Sequence, residues 1–92
     1  MTKRQKRLQR IRQNPGNVTF EDLRLVLEDY GFRYERTVGS HYTFSYKIGE
    51  ERKIYVVPFR RPLKSVYVKR ALKIIDQIIR EQVEDESETD DN

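Results

Sequence analysis

Two short glycine-containing turns divide the middle of this sequence into three segments in which polar and apolar residues alternate. The turns lie at Gly39-Ser40 and around Gly49, and they separate the segments 32–37, 41–46 and 52–58. Alternation with a period of two is typical of β-strands that bury one face. Because connections this short join antiparallel neighbours, the sequence predicts a three-stranded antiparallel sheet.

The middle strand has one aromatic face and one polar face. The aromatic residues should point into the core and the polar ones should stand on the open side of the sheet: Tyr42, Phe44 and Tyr46 against His41, Thr43 and Ser45. In the segment 52–58 the pattern leaves open which face is inward, the one with Ile54 or the one with Tyr55.

Apolar residues recur at helical spacing on both sides of the strands. In residues 19–30 this stripe follows Thr19, an N-cap residue with Asp22 in the capping-box position three residues later. Gly31 follows where a left-handed C-terminal cap is expected. Residues 65–82 carry a second apolar stripe, so they are predicted to form a long helix.

Two amphipathic helices need a surface large enough to bury both stripes, and only one face of the sheet provides it. We therefore predict an α+β fold, a two-layer sandwich of α-β-β-β-α order with one open sheet face. Residues 18–82 form this domain. Residues 1–17 form a basic extension with a short helix at 3–13, and residues 83–92 form an acidic tail that we expect to be disordered.

Charge is divided unevenly along the chain. Residues 1–80 contain 19 basic and 8 acidic side chains, a net charge of +11, whereas residues 81–92 contain 7 acidic and no basic ones. A body this basic is typical of proteins that bind a polyanion, and nucleic acid is the favoured partner. Two roles fit the acidic segment: it solubilises the chain, or it mimics a polyanion and weakens RNA binding.

Composition also argues against several classes of protein. The chain has no cysteine, hence no disulfide framework, and its one histidine and scattered carboxylates do not make a metal-ligand set. No apolar run has membrane-spanning length, and the N-terminal region lacks the apolar core of a secretory signal. We expect a cytoplasmic protein without metal or cofactor, a monomer or a weak dimer.

The sequence resembles the HicA (YcfA-like) family in the order of its elements and in several short motifs. Gly31-Phe32 follows a helix, Gly39-Ser40-His41 opens the middle strand with Phe44 three residues later, and Val57-Pro58 ends the third strand before a basic helix start. Proteins of this family are small toxins of bacterial toxin–antitoxin pairs that cleave messenger RNA. The resemblance covers roughly residues 18–79.

The resemblance implies a fold like the double-stranded-RNA-binding domain and an endoribonuclease activity on mRNA. It implies that His41 is the catalytic residue and that an antitoxin of the HicB type masks the site. Many members carry a second histidine soon after the Val-Pro pair, whereas Phe59-Arg60-Arg61 follows here.

The chemistry of RNA cleavage also suits this set of residues. RNA carries its own nucleophile, the 2′-hydroxyl, so a histidine can act as general base or acid without a metal, and Arg or Lys can stabilise the phosphate charge. Ser40 is either a turn residue or a phosphate donor. The full set of expected RNA contacts is Arg36, Ser40, Thr43, Arg60, Arg61, Lys64, Lys69 and Arg70.

Two alternatives remain open at this point. A lone histidine also suits a non-catalytic RNA-binding module on the same fold. The open sheet face and basic surface also suit a protein that binds only an acidic protein partner.

Overall fold

The computed structural model describes the backbone of residues 1–90 and the side chains of residues 1–82. The elements follow the predicted order of helix, three strands and helix, behind a helical extension. They are α1 (Lys3–Gln13), a 3₁₀ turn (Pro15–Asn17), α2 (Phe20–Asp29), β1 (Arg33–Val38), β2 (His41–Ile48), β3 (Glu51–Pro58) and α3 (Ser65–Asp90). The predicted α+β fold with an antiparallel three-stranded sheet is confirmed.

The sheet has the simple order β1-β2-β3, with both neighbouring pairs antiparallel. The turn between β1 and β2 places Gly39 at its first central position with a φ of 60°. That backbone conformation is left-handed, favours glycine and fits a type II′ hairpin turn. The turn thereby fixes His41 as the first residue of β2.

One face of the sheet and the three helices enclose a single core. In β3, Tyr55 and Val57 are buried while Ile54 and Val56 are exposed, so the Tyr55 face is the inward one. The Tyr55 hydroxyl donates to the backbone carbonyl of Tyr67 at 2.6 Å, and burial raises the pKa of Tyr55. The core residues from the helices and the segments beside them include Leu8, Ile11, Val18, Phe20, Leu23, Val26, Leu27, Leu63, Val68, Ala71, Ile75 and Ile78.

The caps of α2 match the sequence prediction. The Thr19 side chain accepts from the Asp22 backbone N–H, and the Asp22 side chain accepts from the Thr19 backbone N–H. At the other end Gly31 has a φ of 93°. The Phe32 N–H donates to the Leu27 carbonyl at 3.0 Å, which is the Schellman pattern. These signals lie within or directly beside α2, so they define its two ends locally.

Helix α1 packs firmly on the domain. Leu8 and Ile11 are 6% and 2% exposed. Arg7 makes a paired hydrogen bond to Asp29 in α2, with nitrogen–oxygen distances of 2.7 and 2.8 Å. Arg12 is similarly paired with Asp76 in α3. The basic extension is therefore a third helix of the helical layer, although it has only two buried apolar residues.

Helix α3 extends further than the sequence predicted. Its backbone continues to Asp90 instead of ending near Gln82, so the predicted helix end is corrected. The disorder expected for the acidic tail stays a prediction. No glycine or proline follows Gln82 to stop the helix, and glutamate favours helical backbone. Side chains after Gln82, and the last two residues of the predicted tail, lie outside the described part.

Candidate active site and nucleic-acid interface

His41 stands at the end of the sheet, on the face that no helix covers. It pairs with Val38 on β1 and Pro58 on β3, and its side chain is exposed. Among the described side chains, residues 1–82, no hydrogen bond or ion pair engages its imidazole. The ring is therefore available to a ligand on the open face.

A β-bulge in β1 determines which basic residue accompanies His41. The register shifts between Tyr34 and Arg36, so Arg36 pairs with Thr43 on the open face, as Arg33 pairs with Ser45. Without the extra residue, Arg36 would share the inward face with Tyr34, because side chains alternate along a strand. The bulge thus places the Arg36 guanidinium on the same face as His41.

Thr43 and Ser45 lie on the predicted face, but neighbouring side chains cover them. Thr43 is 7% exposed and Ser45 is 4% exposed. Thr43 sits between Arg36 on β1 and Val56 on β3 in the strand register. Thr43 therefore offers little surface to an RNA chain, which argues against the RNA contact predicted for it.

Glu35, the bulged residue, organises the other end of the open face. The Ser45 hydroxyl donates to its carboxylate at 2.5 Å, and an Arg52 guanidinium nitrogen lies 3.4 Å from the same oxygen. The Ser45 hydrogen bond is the main reason that the pKa of Glu35 is lowered, with Arg52 and Arg33 contributing. No sequence pattern predicted this network, because it depends on the strand register that brings Glu35, Ser45 and Arg52 together.

A backbone hydrogen bond joins the turn before His41 to the segment that contains Arg60 and Arg61. The Phe59 N–H donates to the Ser40 carbonyl at 2.6 Å. Arg61 lies 3.1 Å from a Glu21 carboxylate oxygen and 5.4 Å from the centroid of the Phe59 ring. Arg60 is exposed and makes no ion pair with any described side chain. Of the expected contacts, Ser40, Arg36 and Arg60 are thus the ones that lie near His41.

The basic residues of α3 occupy a different surface. Val68, Ala71 and Ile75 face the core on the inward side of the sheet, so the exposed Lys69 and Arg70 point out of the helical layer. Lys64 is exposed in the connector before α3. Lys69 and Arg70 therefore do not share a surface with His41, and a single short RNA on the open face would not reach them.

Three comparisons with known proteins were made for this chain. No protein-family model, no curated protein and no solved structure matches it. In the part of the chain that the structure describes, no helix is long and apolar enough to cross a membrane.

Proposed function

We propose that this chain is a cytoplasmic, metal-independent endoribonuclease toxin of the HicA kind, with His41 as its general acid or base. The observation that carries the proposal is the position of His41. Its exposed imidazole stands on an uncovered sheet face, between a bulge-directed arginine and an arginine-containing connector. This arrangement suits a polyanion whose own 2′-hydroxyl is the nucleophile.

The reaction needs few protein groups. As general base, His41 takes the 2′-hydroxyl proton while that oxygen attacks the adjacent phosphorus, and the bond to the 5′-oxygen breaks. Arg36 and Arg60 offset the charge that develops on the phosphoryl oxygens. The strand partners of His41, Val38 and Pro58, carry no titratable group, so water, a tyrosine or a lysine would have to supply the proton to the leaving oxygen. We expect cleavage to be slow for that reason.

An antitoxin of the HicB type is the proposed protein partner. The open face exposes three aliphatic side chains, Val38 (68%), Ile54 (49%) and Val56 (41%). Exposed apolar side chains with charged neighbours are typical of protein-docking surfaces. An antitoxin seated there would cover His41 and exclude RNA.

Induced expression in a bacterial host tests the proposal. Wild type and His41→Ala are expressed, growth is followed, and total RNA is mapped for new 5′ ends. We expect arrest and new ends with wild type only, at equal levels of soluble protein. Equal arrest and equal new ends from the His41→Ala variant would contradict the proposal.

A second candidate function is a non-catalytic RNA-binding module. The two cross-strand partners of His41, Val38 and Pro58, carry no titratable group, which favours it. It predicts RNA binding that weakens steeply with salt, without cleavage products from highly purified protein. Cleavage that His41→Ala abolishes would exclude this alternative.

A further inference from the structure

A cleft opens on the helical side of the molecule, close to the end of the sheet where His41 lies. Its volume is about 330 Å³, and the start of α2 and the connector between β3 and α3 form its walls. Phe20 and Leu63, which are among its lining residues, are 4% and 3% exposed, so its floor belongs to the core. A concave apolar floor with a few polar groups is the usual form of a small-molecule site.

The rim of the cleft is polar and carries a net positive charge. Arg60, Arg61 and Glu21 are its charged residues. Arg61 is paired with Glu21 at 3.1 Å, whereas Arg60 has no ion-pair partner among residues 1–82, the described side chains. Arg60 is therefore the group best able to bind an anion at this rim.

The rim also offers hydrogen-bonding groups that are not charged. Gly16 and Asn17, in the 3₁₀ turn before α2, line the cleft and are exposed. An asparagine amide both donates and accepts. A nucleobase is a flat, partly apolar ring with polar edges. Its faces would match the apolar floor of the cleft, and its edges would match the polar rim.

The cleft and His41 are linked through the backbone. His41 pairs with Pro58, and the next residue, Phe59, donates its N–H to the Ser40 carbonyl. Arg60, at the cleft rim, is only two residues beyond Pro58. With paired Cα atoms about 5 Å apart and at most about 3.6 Å per residue of chain, the Cα atoms of His41 and Arg60 lie within roughly 12 Å. A short RNA strand that passes around this end of the sheet can contact both, although the cleft lies on the helical side and His41 on the open face.

We propose that this cleft is a subsite for one nucleotide of single-stranded RNA, with the base in the cleft and its phosphate at Arg60. The link to cleavage rests on the proposed function, since the neighbouring phosphate would then be the one near His41. Nucleotide binding in the cleft does not depend on catalysis. The subsite would give the protein a base preference next to the cleaved bond.

Gly16 lines the cleft and can accept a larger side chain there. A Cβ added there meets no atom within 4 Å, and the residue does not have a left-handed φ. Gly16→Trp should therefore keep the fold while adding a large side chain at the cleft wall. Arg60→Ala removes the proposed phosphate contact, and Lys6→Ala, an exposed residue of α1, removes the same charge elsewhere.

The experiment measures binding of the four nucleoside 5′-monophosphates to the full chain by NMR titration, in wild type and in His41→Ala. We expect amide shifts at Gly16, Asn17 and Arg60 in both proteins. Gly16→Trp should weaken binding of the preferred nucleotide at least tenfold. Arg60→Ala should weaken this binding about fivefold to tenfold, and Lys6→Ala should weaken it less than twofold. In RNA cleavage, Gly16→Trp should change the base preference at the cut site.

The outcomes separate this inference from the proposed function. Nucleotide binding without cleavage would support the subsite and contradict the endoribonuclease. Cleavage with no nucleotide shifts at the cleft, or a folded Gly16→Trp protein with unchanged affinity and unchanged cut sites, would overturn the subsite and leave the endoribonuclease standing.

Discussion

Glu35 determines the local geometry of the sheet, because it is the extra residue of the β1 bulge. The bulge turns Arg36 onto the face that carries His41. Glu35 itself accepts from the Ser45 hydroxyl and lies beside Arg52. The carboxylate of Glu35, on β1, therefore links its own strand to Ser45 on β2 and Arg52 on β3, and it stabilises the local register.

Glu35 should make stability depend on pH. Its pKa is lowered in the folded chain, first by the Ser45 hydrogen bond. The stability that it contributes is therefore present above the ordinary glutamate pKa and is lost as pH falls through the lowered value. We expect Glu35→Gln to unfold at lower urea concentration at pH 7, and to lose less stability than wild type below about pH 5.

Glu50→Gln, in the exposed turn between β2 and β3, is the control for this measurement. Urea unfolding is followed at several pH values for the three proteins. Parallel curves for wild type and Glu35→Gln across the acid range would show that Glu35 is not linked to folding.

Gly39 tests the hairpin that positions His41. Its φ is 60°, so Gly39→Ala should destabilise the fold by about 1–2 kcal/mol, because residues with a Cβ rarely adopt this φ even where the surrounding space is open. Gly16 is the matched control, since it lacks a left-handed φ and has open space around it. Gly16→Ala should be neutral or slightly stabilising. Equal changes in the free energy of unfolding for the two variants would contradict the turn assignment.

At the scale of elements, α1 is the part that the sequence described least well. Leu8 and Ile11 are the only apolar residues of this helix, yet both are buried. The partners that hold α1 are far away in sequence, since Arg7 meets Asp29 and Arg12 meets Asp76. No local pattern contains such pairings, and for this reason the depth of packing was not predictable.

Other elements were predictable because their signals are local. The capping box at Thr19, the glycine C-cap of α2 and the alternation in β2 all act within a few residues. The bulge at Glu35 and the cleft beside Gly16 were not predictable, since each depends on a neighbour from another part of the chain. His41 was identified as a candidate site residue because it is the only histidine and opens a strand.

Ile11 tests whether α1 belongs to the core. It is 2% exposed, so Ile11→Ala removes packed methylene groups and leaves a cavity. We expect a loss of about 2–4 kcal/mol in the free energy of unfolding, measured by urea denaturation. Lys6→Ala, on the exposed face of the same helix, should change it by less than about 0.5 kcal/mol. A similarly small change for Ile11→Ala would mean that α1 is not part of the cooperative unit.

At the scale of the whole molecule, charge separates the chain into a basic body and an acidic end. Residues 83–92 contain six of the acidic side chains. Glu81, just before them, accepts from the Gly49 backbone N–H at 2.7 Å. Truncation after Gln82 therefore removes charge while keeping this contact between α3 and the sheet.

We expect the truncated protein to bind RNA more tightly than the full chain, because six carboxylates no longer compete with phosphates for the basic body. The difference should be largest at low salt and should shrink above about 0.3 M, where charges are screened. A full-length variant with the six acids changed to Asn or Gln controls for length. If all three proteins have equal dissociation constants for RNA at low salt, residues 83–92 only solubilise the chain.

We propose that His41 is the catalytic group of RNA cleavage. The direct measurement is the cleavage rate of a single-stranded RNA by purified wild type and His41→Ala in EDTA, with product ends identified. We expect wild type to leave 2′,3′-cyclic phosphate and 5′-hydroxyl ends. The His41→Ala variant, shown to be folded by an unchanged unfolding curve, should cleave the RNA more slowly by about 10²-fold or more. Equal rates for the two proteins, or 5′-phosphate ends, would contradict the account.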